Sequence, residues 1–96
     1  MNFANFIERV LEEIQDYLPA EYENAEITTT KILKENVEKT GLNIRRPGET
    51  IVPTLHLEAF YEDYQKSEDF EETLNKIVKA RVEVKQNLNI DVESLT

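Results

Sequence analysis

Twenty Asp and Glu side chains are the main chemical resource of this 96-residue chain. Carboxylates three or four residues apart, as at Glu12/Asp16 and Asp69/Glu72, share one face of a helix and suit divalent-cation binding or acid–base work. Both pairs fall on faces expected to meet solvent, where no burial tunes a carboxyl group. His56 is the one histidine, so a hydrolytic triad would have to join it to Ser67 or Ser94, and neither serine sits in a strand–turn–helix nucleophile context. With Gly41 and Gly48 as the two glycines there is no phosphate-cradling loop. The absence of cysteine excludes disulfides and thiolate metal sites and fits a reducing cytoplasm. The expectation is a protein that is not an enzyme, with no cofactor and no metal. A carboxylate metal-dependent hydrolase is the third alternative, disfavoured by the exposure of both carboxylate pairs.

Binding is the better use of these groups. Residues 1–26 hold seven acids and one base, net −6; 27–57 are net +2, 58–72 are net −6 and 73–96 are net +1. Two acidic patches result, one of Glu8, Glu12, Glu13 and Asp16, the other of Glu62, Asp63, Glu68, Asp69, Glu71 and Glu72. Acidic helix faces ordinarily keep a small protein soluble. Taken together, carboxylates at helical spacing also imitate nucleic-acid phosphates and can occupy a basic groove by electrostatic steering. A basic strip is expected on a sheet through Lys31, Lys34, Lys39, Arg45 and Arg46. Arg45-Arg46-Pro47-Gly48-Glu49 reads as a hairpin tip, or as a guanidinium pair offered to a carboxylate or phosphate. His56, between two leucines, reads as a sheet-surface residue, and Tyr61 as sheet cover or an interface anchor. Arg45, Arg46, His56 and Tyr61 form the secondary candidate set.

The elements that must position these groups follow from periodicity. Phe3, Phe6, Ile7, Val10, Leu11, Ile14, Tyr17 and Leu18 mark one side of a helix capped by Asn2 and stopped by Pro19. Residues 27–33, rich in Thr and Ile, predict a strand, and a second runs over 37–45 with Leu42 and Ile44 on one face and Lys39, Asn43 and Arg45 on the other. A third is predicted over 51–58, with Ile51, Leu55 and Leu57 inward and Pro53 forcing it to an edge. Residues 59–65 predict a short helix. Ser67 is expected to cap a longer one with a stripe of Phe70, Leu74, Ile77, Val78 and Val82, and with Lys76, Lys79, Arg81 and Lys85 gathered as cations toward its end. The predicted class is α+β, in the order α-β-β-β-α, with a three-stranded antiparallel sheet covered on one face by helices. One domain is expected over 1–86, with 87–96 as a loosely docked tail in which Ile90 and Val92 add a short strand.

At 40% hydrophobic and 8% aromatic residues the chain can bury a core of its own, and no apolar run is long enough to span a bilayer. A net charge of −9 argues against direct binding to nucleic acid. The element order matches that of double-stranded-RNA-binding domains, but the second long helix here opens on Glu68, Asp69, Glu71 and Glu72 where such domains present cations.

Three stretches carry a resemblance: Asn2 to Pro19, Thr40 to Glu49, and Pro53 to Tyr61. Through them most of residues 2–75 resembles an uncharacterised domain family of Gram-positive bacteria and mobile elements. The resemblance implies a free-standing version of a domain that longer members extend, and it carries no established activity. In size, acidity and lack of catalytic residues the chain is also similar in character to phage-encoded anti-CRISPR proteins, in particular the type II inhibitors that bind Cas9. That likeness implies a cytoplasmic, non-enzymatic inhibitor in the bacterial host. It would bind a protein partner with a basic groove and interfere with guide-RNA assembly, with no membrane and no direct nucleic-acid contact, as a monomer or a homodimer. The runner-up is a general protein-interaction domain using the outer sheet face (Lys39, Asn43, Arg45, Thr54, His56) or self-association.

Overall fold

Phe6, Val10 and Ile14 recur every four residues and are fully buried, which fixes the inward stripe of the first helix, α1 (Phe3–Glu13). Asn2 caps it by accepting the Asn5 N–H at 2.8 Å. The computed structural model describes residues 1–86; the tail over 87–96, with Ile90 and Val92, lies outside the described residues. The predicted helix to Leu18 is shorter. It tightens into a 3₁₀ turn at Ile14–Tyr17 and leaves Leu18 extended, because a residue before proline is driven out of the helical region. Leu11 lies on the flank of the stripe and is exposed. A second 3₁₀ turn, Ala20–Tyr22, delivers the Tyr22 ring to the core.

β1 (Glu26–Lys34) and β2 (Val37–Arg45) then form a hairpin over the whole register from Glu26↔Arg45 to Lys34↔Val37. Glu35 and Asn36, both at positive φ, make the two-residue turn whose twist suits the strands. β3 (Thr54–His56) pairs with Gly41–Asn43, so the antiparallel order is β1-β2-β3 and the strand next to Pro53 is at an edge, as expected.

The predicted third strand over 51–58 is mostly absent. Ile51 is 86% exposed instead of inward, and the chain turns helical at Leu57. Pro53 offers no ladder donor, so little holds its neighbours in the sheet. The helix expected over 59–65 is correspondingly longer, α2 (Leu57–Ser67). It ends at Glu68, whose left-handed backbone carries an N–H bond to Tyr64 O at 2.7 Å. α3 spans Phe70–Gln86. Its cap is Asp69 and not Ser67: Asp69 Oδ1 accepts the Glu72 N–H at 3.1 Å, while the Ser67 hydroxyl accepts the Asp69 N–H.

Helix–strands–helices around an antiparallel sheet is the α+β arrangement that the periodicity predicted. Leu42, Ile44 and Leu55 line the covered face with Phe6, Val10, Ile14, Leu57, Phe70, Leu74 and Ile77. Phe6 is ringed by Tyr61, Tyr64 and Phe70 at centroid distances of 5.2, 5.7 and 5.8 Å. The hairpin tip runs past this core, so Leu33 is 75% exposed. Because β3 gives way to a helix, the Thr40 N–H has no strand to meet; the Glu58 carboxylate accepts it at 2.9 and 2.8 Å instead.

Candidate functional site: an acidic helix surface and a buried guanidinium cluster

The inward stripe of α1 leaves Glu8 and Glu12 on its exposed face. The 3₁₀ turn that follows redirects the chain toward α3, and Tyr17 arrives there with Glu71 beside it. Partial burial raises the Tyr17 pKa, and Glu71 raises it further by charge and hydrogen bonding, with Glu13 and Asp16 adding to the effect. Carboxylates from the two predicted patches, Glu13 and Asp16 from one and Glu71 from the other, thus converge on one phenol. Arg9 lies in the same seam. It pairs with Glu13 at 2.9 Å and stacks on Phe70, 4.1 Å from the ring centroid.

The other acidic candidates are dispersed. Glu72 is 3.7 Å from Lys76 on its own helix. Glu68 and Asp69 are spent on the α2–α3 junction. Asp63 is on α2, half-buried. Glu62 lines a cleft of about 220 Å³ with Lys34, Lys39, His56, Glu58 and Ala59, so it faces the protein's own lysines. The expected second patch is therefore divided between the α3 start and the sheet side. Among the described residues no group of three or more His, Asp or Glu side chains is placed to hold a metal ion, and no helix is long and apolar enough to cross a membrane.

The expected basic strip is split by strand parity. Lys34, Lys39, Asn43, Arg45, Thr54 and His56 share the uncovered face, whereas Lys31 points to the opposite one and is paired with Glu38 at 3.4 Å. Arg46 is not offered outward beside Arg45. It turns back to Glu21 at 3.4 Å and to Glu49, whose Oε1 is 3.3 Å from Arg46 Nε and accepts the Arg46 backbone N–H at 2.7 Å. Tyr61 is not an exposed anchor either; its ring packs on Phe3 and Phe6 and its hydroxyl donates to the Met1 carbonyl at 2.9 Å.

The largest departure is Arg81, which is fully buried and not part of a cationic helix end. Its Nη2 donates to Glu49 at 2.7 and 3.0 Å, Nε to the Ile44 carbonyl at 2.9 Å and Nη1 to the Tyr22 hydroxyl at 3.3 Å. Burial alone would raise the Glu49 pKa, but hydrogen bonds from Arg46 and Arg81 and the Arg81 charge outweigh it and hold the carboxyl below its ordinary range. The spacing Leu74, Ile77, Val78, Arg81 was the available signal, since it places Arg81 on the apolar stripe.

Residues 3–96 match the model of a family described as a family of unknown function (DUF5688). No curated protein and no solved structure matches the chain.

Proposed function

The chain belongs to DUF5688, and we propose that it works as a non-enzymatic binding protein whose acidic α1–α3 surface enters a basic groove of a nucleic-acid-handling protein. The observation that supports this reading is the approach of Asp16 and Glu71 to Tyr17, continuous along α1 with Glu12 and Glu8, while Glu13 beside them is paired with Arg9. A row of carboxylates carried on a helix, with Glu71 hydrogen-bonded to Tyr17, needs less ordering on contact than one on a loop, so it competes for guanidinium and ammonium groups that otherwise bind phosphates. Cas9, which holds guide and target in positively charged channels, is the partner that the reading favours, within a bacterial cytoplasm. The test is binding to guide-free and guide-loaded Cas9 at low and high salt. Guide-free Cas9 is expected to bind and to lose affinity as salt rises. Reversing Glu8, Glu12, Asp16 and Glu71 to Lys should weaken the complex and flatten its salt dependence. Binding that ignores the reversals refutes the mechanism, and no binding to guide-free Cas9 refutes that partner.

The uncovered sheet face supports a second reading, a protein-interaction domain using Lys39, Asn43, Arg45, Thr54 and His56. The cleft between Lys34, Lys39 and Glu58, Glu62 offers both signs of charge to a polar segment of another protein. Lys39→Glu with Arg45→Glu would abolish binding on this reading and spare it on the first.

A further inference from the structure

β1 is nine residues long and, among the described residues, is paired on one side only. The Thr40 N–H is directed to Glu58, on the β3 side, so even positions of β2 face β3 and odd positions face β1. The register then assigns the even positions of β1 to β2. Ile27, Thr29, Lys31 and Leu33 therefore turn their N–H and C=O groups to the open edge. An open edge of this length is a template for another strand.

We propose that the strand it takes is β1 of a second copy, antiparallel about a two-fold axis at Thr30. Outward groups meet only in registers that pair odd positions with odd, and centring on Thr30 uses the whole strand. Glu26 then faces Lys34 of the second copy at both ends, Ile27 faces Leu33, Thr28 faces Ile32 and Thr29 faces Lys31, with about eight backbone hydrogen bonds across the seam. A shift of two residues one way sets Lys31 against Lys31; the other way, Glu26 meets Ile32 and both charge pairs are lost. Leu33, 75% exposed in one copy, comes to lie beside Ile27 at the margin of the other copy's core. Lys31 brings its own counter-charge, Glu38 at 3.4 Å. The opposite edge, β3, is three residues long and follows Pro53, so it offers no second template and assembly closes at two. The acidic α1–α3 surface takes no part in this pairing.

Sedimentation of the full chain from about 1 μM to about 1 mM tests it, a range suited to a small interface. The mass is expected to rise from 11.2 kDa toward twice that value. Glu26→Lys and Lys34→Glu, which each create two like-charge pairs, should each weaken the dimer about tenfold. Mixing the two variants should restore it. The chain with Glu26→Lys carries lysine at both positions, and it then meets glutamate at both positions of the chain with Lys34→Glu. Thr29→Pro removes an outward donor and should leave a monomer with unchanged circular dichroism. A chain that stays at 11.2 kDa throughout overturns the proposal, as does a dimer indifferent to the charge swaps and the mixture.

Discussion

Glu49→Gln is the substitution that most directly tests the buried charge cluster. Glu49 is the counter-charge of a fully buried Arg81 and also pairs with the partly buried Arg46. Neutralising it leaves the Arg81 guanidinium uncompensated in the core, a defect that costs about 3–5 kcal/mol where one partner of a buried pair is removed. The lower figure applies, because Glu49 keeps 15% of its side-chain surface in solvent and Arg46 retains Glu21. A chain of this length has about 5–14 kcal/mol in all, so a loss of about 3 kcal/mol is a large share and lowers the melting temperature by about 12–24 °C. Urea unfolding measures it, read at the midpoint with an unchanged slope. Adding Arg81→Met to Glu49→Gln removes the stranded charge and should recover much of the stability, so the two costs are strongly non-additive. A loss below about 1 kcal/mol for Glu49→Gln, or simple additivity in the double variant, would falsify the assignment of Arg81 as a buried ion-pair partner.

The same carboxylate sets an acid limit. With the folded pKa of Glu49 held below its unfolded value, the stability that Glu49 contributes is complete above the unfolded value and is lost as pH falls through the folded one. Thermal melts into the acid range should lose part of their slope in Glu49→Gln, and an identical slope would contradict the shift. Gly41→Ala should cost about 1–3 kcal/mol, because its Cβ would strike Thr54 Cγ2 and come within 2.9 Å of Ile32 Cδ1. Thr54→Ser, which deletes that methyl group, should return part of the loss, and chemical unfolding of the pair decides it. Asp69→Ala should cost about 1 kcal/mol in thermal stability through loss of the α3 cap, while Ser67→Ala costs less. The reverse order would restore the cap to Ser67.

The hairpin strands and the inward stripes of α1 and α3 were legible in the sequence because period-two and period-3.6 patterns report which side of an element is apolar. Short elements next to proline were not. The extended backbone at Leu18 and the short β3 both depend on a single residue, Pro19 or Pro53, against a longer apolar pattern. In the candidate site, the sequence identified the carboxylates but not their grouping. Glu71 joins Asp16 only because the turn after α1 brings Tyr17 to α3, whereas Glu62, nine residues from Glu71, is turned toward Lys34 and Lys39.

The sequence by itself determined the order of elements, the covered face of the sheet and the excess of negative charge, all of which follow from local spacing and composition. Only the tertiary structure decided that Arg81 is a core residue, that Glu49 holds two guanidiniums and that Arg46 turns inward. A charged side chain carries no local mark of its partner. Glu49 and Arg81 are 32 positions apart, and their pairing exists because the β2 end, the loop after it and α3 enclose one desolvated space in which neither charge is tolerated alone.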